Sequence, residues 1–260
     1  MTAVLEIDKV SKSFGGIVAL KEVDIEVRQG EILAIIGPNG SGKTTLLNLI
    51  TGVYVPSSGV IKLGGQRMDN YTPSKICISG IARTFQNVRI FKGLSVLDNV
   101  LVGQHHRFTS SLAGILFKSR STRAEETTFR DEALKLLETV GLQGKEKMVA
   151  QNLPYAQQRL LEIARALAAR PQILLLDEPA AGMNSEEISH LSQLIKKLRQ
   201  TGLTIILIEH IMDLVRGVAD RVVVLSYGVK IATGTFEEIE SNPLVIEAYL
   251  GKGTAKNVKN

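Results

Sequence analysis

The sequence is poor in cysteine and lacks any long apolar run, and both absences narrow what the chain can be. Its single cysteine, Cys77, excludes an internal disulfide framework and fits a reducing compartment. The wholly apolar runs are short, as at 173–176 and 205–208, whereas a membrane-spanning helix needs about 20 apolar residues. Glu6 and Asp8 stand where a secretory signal would be apolar, so we expect no export signal. The sequence predicts a soluble or peripheral protein that forms no channel by itself.

Strong net charge is also lacking. The formal net charge is +5 over 260 residues, and basic residues are spread along most of the chain, so charge alone indicates no partner. One stretch differs, because no acidic residue occurs between Asp98 and Glu125. It surrounds an apolar run at 112–117 and contains His105, His106, Arg107, Lys118, Arg120 and Arg123.

Hydrophobic periodicity separates two kinds of strand. Residues 4–10 and 23–27 alternate apolar and polar side chains, as half-buried antiparallel strands do. Continuous apolar runs, separated by helical segments, occur at residues 32–36, 173–176, 204–208 and 222–225. Such runs are typical of a parallel sheet that is covered on both faces. The sequence therefore predicts an α/β fold with a mostly parallel sheet and an N-terminal antiparallel β region.

Apolar residues at helical spacing predict helices around 133–140, 155–169 and 188–198. Residues 87–152 carry no strong strand signal and interrupt the α/β alternation, which predicts an inserted helical subdomain. The predicted organisation is an N-terminal β region with the first part of the core at 1–86, the helical subdomain at 87–152, the second part of the core at 158–250 and a polar tail at 251–260.

The clearest motif is a phosphate-binding loop. Residues 37–44 match the pattern G-x-x-x-x-G-K-[ST] in full, after a buried strand and before a helix predicted at 44–51. Glycines let backbone N–H groups converge on a phosphate, and the helix N-terminus adds partial positive charge. Lys43 supplies a charge for the β- and γ-phosphates, and the Thr44 hydroxyl is placed to hold Mg²⁺. The predicted nucleotide-binding residues are Gly37, Pro38, Asn39, Gly40, Ser41, Gly42, Lys43, Thr44 and Thr45, and the fold is that of a P-loop NTPase core.

A second acidic element narrows the chemistry. Asp177 and Glu178 follow an apolar strand at its carboxyl end, where ligands bind in open α/β sheets. Asp177 fits the residue that holds the Mg²⁺ shell, and Glu178 fits the residue that orients or deprotonates the attacking water. The two carboxylates predict hydrolysis of the bound nucleotide as well as binding.

At this point the sequence resembles the ATPases of ABC transporters over nearly its whole length. Gln86, in the run Arg83-Thr84-Phe85-Gln86, is similar to the glutamine of their Q-loop, and His210 is similar to the histidine of their H-loop. Residues 181–184 occupy the position of the D-loop. The resemblance implies that Gln86 contacts Mg²⁺ and the attacking water, and that His210 contacts the γ-phosphate.

The same resemblance completes the set of site residues. Phe14 is similar to the aromatic residue that stacks on adenine in this family. The predicted metal ligands are Thr44, Gln86 and Asp177. The predicted catalytic residues are Glu178, His210, Gln86 and Lys43.

Further motifs resemble one branch, the ATP-binding subunits of branched-chain amino-acid importers. These motifs are found at residues 83–91, 157–165, 177–182, 208–210, 242–243 and 248–251. The resemblance implies ATP and Mg²⁺ as cofactors, membrane permease subunits and a second ABC ATPase as partners, and an extracytoplasmic solute-binding protein as an indirect one. It implies a peripheral protein on the cytoplasmic face of the cell membrane, with no nucleic-acid partner. The solute stays open between branched-chain amino acids, urea, amides and other amino acids.

One motif departs from the family pattern. The family signature reads Leu-Ser-Gly-Gly-Gln, or Leu-Ser-Tyr-Gly-Gln in this branch, and is expected to contact the γ-phosphate held by the other subunit of a dimer. Here the five residues are Leu153, Pro154, Tyr155, Ala156 and Gln157. Pro154 has neither a hydroxyl nor an N–H group to donate, and Ala156 adds a methyl group where glycine would permit close approach. We expect the helix to form, since proline suits a first turn, and the signature to be weakened.

Two other classes of function stay open at this stage. A soluble ABC ATPase that acts on nucleic acid or ribosomes usually joins two nucleotide domains or carries long coiled coils, and neither is present here. A nucleotide-binding regulator without turnover is the second, because of the altered signature. The basic stretch from His105 to Arg123 suggests contact with a permease or with lipid headgroups, and a solvated loop is its other interpretation.

Overall fold

A computed structural model describes residues 3–108 and 120–250 of the chain, without the side chains of Arg120 and Ser121. The ten strands of these residues form two sheets. In chain order they are β1 Ala3–Phe14, β2 Ile17–Arg28, β3 Ile32–Ile36, β4 Ser58–Leu63, β5 Gln66–Arg67, β6 Ile81–Arg83, β7 Ile173–Asp177, β8 Thr204–Ile208, β9 Arg221–Ser226 and β10 Val229–Gly234.

The larger sheet has the strand order β10-β9-β3-β8-β7-β6, and every pair except β10 with β9 is parallel. All five residues of β3, β7 and β8 are buried, which explains their unbroken apolar sequences. On β3, Leu33 and Ile35 face a core shared with the smaller sheet, whereas Ile32 faces a core built with helices. The predicted mostly parallel sheet, covered on both sides, is confirmed.

The smaller sheet is antiparallel, with the order β2-β1-β4-β5. Its first two strands run well beyond the alternating segments at 4–10 and 23–27. Register shifts in the β1–β2 pairing, one of them between Val10 and Lys12, break the two-residue period before the strands end. The turn between them uses Gly15 and Gly16, both with positive φ. The predicted N-terminal antiparallel region is therefore present and larger than expected.

The described helices of eight residues or more are α1 Lys43–Ile50, α3 Val96–Gly103, α4 Arg120–Thr139, α5 Tyr155–Ala168, α6 Ser185–Gln200 and α9 Pro243–Leu250. Shorter ones are α2 Pro73–Ile78, α7 Met212–Val218 and α8 Phe236–Glu240, with 3-10 turns at His105–Arg107 and Ala150–Asn152. Between residues 87 and 152 the described part is helix, turn and loop, apart from one bridge between Ser95 and Val149. The proposed domain boundaries at 86 and 152 stay a prediction.

Helices α3, α4 and α5 pack on one another and share the first core with α6 and the parallel sheet. No helix among the described residues has both the length and the apolar character that crossing a membrane requires. Of the basic stretch noted in the sequence, residues 109–119, with Lys118 and the apolar run at 112–117, lie outside the described residues.

Candidate functional site

The phosphate-binding loop joins the central strand β3 to α1, and its glycines are fixed by close packing. A Cβ atom at Gly37 would lie 2.1 Å from the carbonyl oxygen of Leu225, at the end of β9. A Cβ at Gly42 would lie 2.6 Å from Leu20 Cδ2, and the φ of Gly42 is 102°. Only glycine fits these positions, because a side chain would clash and the backbone is left-handed. The loop is therefore clamped between the two sheets.

The first turn of α1 is shaped to bind an anion. Gly42 is the N-cap and has no side chain to cap the helix, and the first turn contains no acidic residue. Leu46 N–H donates to the Gly42 carbonyl at 2.9 Å, so the amides of Lys43, Thr44 and Thr45 precede the first bond within the helix. These amides and the helix dipole favour a phosphate at this end.

Lys43 is buried in the same loop. Its Nζ donates to the carbonyl oxygens of Gly37 at 2.7 Å and Pro38 at 3.0 Å. Burial lowers the pKa of the Lys43 ammonium, while the nearby carboxylates of Glu178 and Asp177 act in the opposite direction. The structure therefore brings the loop lysine and both predicted acidic residues into one electrostatic environment.

The two acidic residues differ in backbone and exposure. Asp177 ends β7 and is buried. Glu178 follows it with a φ of 47°, a left-handed conformation that is costly for a residue with a side chain. The amide of Glu178 donates to the Ile208 carbonyl at 2.9 Å, which ties this strained residue to the end of β8. This hydrogen bond holds Glu178 at the carboxyl edge of the parallel sheet in spite of the strain.

Glu178 is held by the two other residues that the sequence singled out. Gln86 Nε2 donates to Glu178 Oε2 at 2.9 Å. His210 Nε2 lies 2.9 Å from Glu178 Oε1. The three residues come from the segments after β6, β7 and β8, whose carboxyl ends share one edge of the sheet. Each carboxylate oxygen of Glu178 thus has one partner.

Glu209 was not identified from the sequence, yet it supports this arrangement. It is 2% exposed, and its Oε1 accepts from Ala180 N–H at 2.8 Å. Its Oε2 accepts from the amides of His210 at 2.8 Å and Ile211 at 3.2 Å. One buried carboxylate therefore joins the turn after Glu178 to the turn that carries His210. In the sequence Glu209 stands directly after an apolar strand and within the motif at 208–210, but neither signal gave it a role.

Two further residues that sequence reasoning missed hold the backbone around Gln86. Arg159 on α5 donates through Nη1 to the Phe85 carbonyl at 2.6 Å and through Nη2 to the Gln86 carbonyl. Glu162, one turn later, accepts from the amides of Phe85 at 3.4 Å and Arg89 at 3.3 Å. Both side chains are at most 3% exposed and form an ion pair at 3.8 Å. The Q-loop backbone is thus bonded to the helix that begins at the signature segment.

The signature segment itself starts α5. Leu153 is buried, and Pro154 is the N-cap, whose carbonyl accepts from Gln158 N–H at 3.0 Å. No side chain caps this helix. Lys145 Nζ donates to Gln157 Oε1 at 2.5 Å. The helix forms as expected, and within residues 3–108 and 120–250 no hydrogen bond joins residues 153–157 to the P-loop.

Tyr155 and Ala156 lie on different sides of the segment. Tyr155 is 46% exposed and borders the D-loop glycine, where a Cβ at Gly182 would lie 3.2 Å from its ring. Ala156 is 7% exposed and lines a cavity of about 420 Å³ between α4, α5 and α6, together with Leu160 and Leu194. Ala156 is therefore largely buried within its own subunit, and the effect of its methyl group on a partner's nucleotide site stays a prediction.

Phe14 lies at the end of β1, with 40% of its surface exposed. Its ring meets Tyr54 edge to face at a centroid distance of 5.0 Å, and the Lys12 ammonium lies 5.0 Å from the Phe14 centroid. This arrangement holds the ring in place while leaving part of it accessible. Stacking of Phe14 on a base stays a prediction.

The arrangement fits Mg²⁺ with a nucleotide. Among the described residues, no group of three or more His, Cys, Asp or Glu could hold a metal. A magnesium ion bound with a nucleotide needs few protein ligands, because phosphate oxygens and water complete its shell. Hard oxygen ligands are available from the Thr44 hydroxyl at the start of α1 and from the carboxylate of Asp177 at the end of β7.

Comparison with known proteins gives two matching family models. The model described as ABC transporter matches residues 20–181. The model described as branched-chain amino acid ATP-binding cassette transporter matches residues 229–255. The first covers the P-loop, the Q-loop and the acidic pair, and the second covers β10 and the C-terminal helices.

Individual relatives match over almost the full chain. The chain is 45% identical over 251 residues to the high-affinity branched-chain amino acid transport ATP-binding protein BraF of Pseudomonas aeruginosa, covering 96% of this chain and 98% of that protein. It is 43% identical over 250 residues to the corresponding protein LivG of Escherichia coli, with 96% and 98% covered.

Solved structures match as well. A nucleotide-free ATP-binding cassette from an ABC transporter aligns with a TM-score of 0.84 at 33% identity, covering 96% of this chain and 100% of that one. A dimeric ATP-binding cassette in a post-hydrolysis state, bound to ADP and Pi, aligns with a TM-score of 0.75 at 26% identity, with 89% and 98% covered.

Proposed function

The chain belongs to the ABC transporter family of ATP-binding cassettes, and we propose that it is the ATP-hydrolysing subunit of an importer for branched-chain or related amino acids. The observation that carries hydrolysis is the placement of Glu178 between Gln86 and His210, at 2.9 Å from each, beside the loop of Lys43. The amino-acid class rests on the relatives, whose names give that transport function. The C-terminal family match supports the same class.

In this proposal the loop residues bind the phosphates of ATP. The amides at the start of α1 and the Lys43 ammonium neutralise the β- and γ-phosphates. The Thr44 hydroxyl, Asp177 and Gln86 hold the Mg²⁺ shell, and the exposed part of the Phe14 ring stacks on adenine. When bound, Mg²⁺ would withdraw charge from the phosphate oxygens.

Glu178 is the proposed general base. Its carboxylate accepts the proton of the attacking water, and Gln86 and His210 keep both of its oxygens oriented. Since Glu178 is fixed by its backbone as well as by these contacts, little reorganisation precedes the proton transfer. His210 is also proposed to contact the γ-phosphate.

The composite site is proposed to form in a dimer with a second ABC ATPase, either identical or different. The segment from Leu153 to Gln157 then faces the nucleotide on the partner subunit. Its separation from the P-loop of its own subunit is compatible with that role, and a dimeric cassette with this fold has been solved. With Pro154 as N-cap, α5 offers the partner no serine hydroxyl.

Membrane permease subunits are the proposed partners to which this chain transmits its movement. A groove of about 810 Å³ runs beside the Q-loop. It is lined by the Q-loop itself, by α2 and by the end of α3, with Phe85, Phe91, Arg89, Arg165 and His106 among its residues. A permease loop in this groove would contact the Q-loop, whose backbone is held by Arg159 and Glu162. The protein is then peripheral on the cytoplasmic face of the membrane, and a solute-binding protein acts on it indirectly.

The test is purification of the chain from membranes with its permease, followed by reconstitution into lipid vesicles. We expect ATP hydrolysis to rise when a binding protein loaded with leucine, isoleucine or valine is added, and uptake of the same solute to follow. Stimulation by urea or amides alone would move the assignment to another solute. Stimulation by RNA or DNA in place of a loaded binding protein would contradict the proposed function.

Restoring serine at position 154 is expected to raise both stability and turnover. A serine N-cap followed by Gln157 three residues later makes a capping box, and such a cap contributes about 1 kcal/mol. For a chain of this size the melting temperature should rise by roughly 2–4 °C. The hydroxyl also restores a donor to the partner site, so the maximal ATPase rate of the assembled transporter should rise several-fold.

Pro154→Ala is the matched control, because it removes the proline and restores the backbone N–H without adding a hydroxyl. Differential scanning calorimetry measures the first effect and steady-state ATPase assays the second. Equal rates for Pro154→Ser and the parent would show that the altered signature is fully tolerated. The added variant Ala156→Gly should have little effect on the rate, because that methyl group is buried.

A further inference from the structure

Arg83 lies at the end of β6, three residues before Gln86, and binds a residue of the proposed Mg²⁺ shell. Its Nη2 donates to Asp177 Oδ2 at 2.8 Å. The side chains of both residues are only 7% exposed. The two strands are parallel neighbours, with Arg83 paired to Leu175, so the guanidinium reaches forward to the carboxyl end of β7. The contact is thus set by the sheet as well as by charge.

The same guanidinium holds the P-loop helix. Arg83 Nη1 donates to Asn48 Oδ1 at 2.8 Å and to Thr51 Oγ1 at 3.3 Å. Asn48 lies four residues after Thr44 on α1, and residues at that spacing share one face of a helix. Arg83 therefore binds the turn of α1 that follows Thr44, whose hydroxyl is the group proposed to face the metal.

These contacts have a definite electrostatic consequence. A buried carboxylate needs a partner to stay ionised, and a guanidinium with several fixed donors supplies one in a set geometry. Arg83 binds Asp177 Oδ2, which leaves Oδ1 available to a ligand. One planar group thus links the strand end that carries Asp177 to the helix that carries Thr44.

We propose that Arg83 is a positioning residue for the Mg²⁺ shell, which bridges β6, β7 and α1 and sets Asp177 and Thr44 in register without touching the nucleotide. This inference rests on the proposed ATP site. Outer partners of metal ligands typically change metal affinity about 10–100-fold when they are removed. The expected change is in metal affinity and not in nucleotide affinity. This difference separates it from a general effect on folding.

The experiment compares the full chain with Arg83→Met and Arg83→Lys. ADP binding is measured by calorimetry with and without Mg²⁺, and Mn²⁺ binding to the ADP complex is measured by electron paramagnetic resonance. For Arg83→Met we expect Mn²⁺ affinity to fall about 10–100-fold, while metal-free ADP affinity changes less than about threefold. Arg83→Lys should lie between, because an ammonium reaches Asp177 but cannot bridge to Asn48 in the same plane.

Three controls keep the result interpretable. Asp177→Asn should lower Mn²⁺ affinity, and the double variant with Arg83→Met should lose no more than the larger single change, as expected for one coupled unit. Arg199→Met removes an exposed ion pair with Asp220 and should leave Mn²⁺ affinity unchanged. If Arg83→Met does not fold, Asn48→Ala keeps the pair with Asp177 but loses a link to α1, and it should still lower Mn²⁺ affinity several-fold.

Unchanged Mn²⁺ affinity in folded Arg83→Met, or in Asn48→Ala where it is the variant that folds, would overturn the proposal. An equal loss of metal-free and metal-dependent ADP affinity would also overturn it, since that would show a role in the shape of the P-loop alone. Failure of the parent chain to bind ADP at all would instead overturn the proposed function.

Discussion

Replacing Glu178 with glutamine is expected to abolish most ATP hydrolysis while leaving ATP binding intact. Proton transfer by a positioned side chain contributes roughly 10²–10⁴-fold to a rate, so kcat should fall at least about 100-fold. Glutamine keeps the size and the backbone position but cannot accept the proton. Removing a negative charge beside the γ-phosphate should if anything strengthen binding of ATP. We therefore also expect Mg-ATP to trap the variant as a dimer, seen by size-exclusion chromatography with light scattering.

Glu138→Gln is a matched control on the exposed surface of α4, away from the P-loop and the sheet edge. It should hydrolyse ATP like the parent and show no trapped dimer. If Glu178→Gln itself hydrolysed ATP at the parent rate, Glu178 would not be the general base. A variant that lost both hydrolysis and binding would point to a structural role for the carboxylate.

Replacing Arg159 with methionine is expected to give the largest loss of stability. It leaves Glu162 buried with the more distant Arg165, at 3.9 Å, as its remaining cation. It also removes the donors of the Phe85 and Gln86 carbonyls. Breaking a buried pair from one side typically costs about 3–5 kcal/mol, which corresponds to a fall in melting temperature of roughly 6–20 °C. Thermal and urea unfolding measure the loss.

The loss should depend on pH in a defined direction. Burial already raises the pKa of Glu162, against the amides of Arg89 and Phe85 and the charges of Arg165 and Arg159. Without Arg159 this pKa rises further. A protonated Glu162 carries no unpaired charge, so the stability gap to the parent should be smaller near pH 5 than near pH 8. A gap that widened on acidification would contradict this account of the pair.

A double variant and a variant of an exposed ion pair serve as comparisons for Arg159→Met. Arg159→Met with Glu162→Leu should cost less than the sum of the single changes, because no buried charge is left alone. Arg216→Met breaks an ion pair with Glu240 in which both side chains are at least half exposed, and should cost about 0–1 kcal/mol. Hydrogen exchange of the amides at 85–89 should speed up in Arg159→Met and stay slow in Arg216→Met.

Local sequence was enough to predict the elements whose cause is local. Residues 32–36 are apolar because β3 is buried on both faces, and the glycines at 37 and 42 permit a backbone that no other residue fits. Glu178 and His210 were predicted after apolar strands and Gln86 by the family resemblance, and the structure places Gln86 Nε2 and His210 Nε2 each 2.9 Å from a carboxylate oxygen of Glu178. Their individual roles in the reaction stay predictions.

Other features depend on partners far away in the chain. β4 contains a glycine and the polar residues Ser58 and Lys62, and becomes a strand because β1 offers an unpaired edge. The three-residue strand β6 is too short for a periodic signal and is defined by its pairing with β7. Arg83 lies 94 residues from Asp177 in the sequence, and no pattern in either segment predicts the hydrogen bond between them. The altered signature illustrates the same limit, since only the packing shows that Ala156 is buried within its own subunit.

The strand order of the parallel sheet has a consequence for how the protein is made. A nascent chain emerges from the ribosome with its N-terminus first. The small antiparallel sheet is therefore complete once residue 67 has emerged. The strand that precedes the P-loop pairs with β8 and β9, whose residues lie between 204 and 226. Gly37 also packs against Leu225. A nascent chain therefore carries its phosphate-binding sequence without the neighbours that shape it until β8 and β9 have emerged, and ATP can assist folding only after that point.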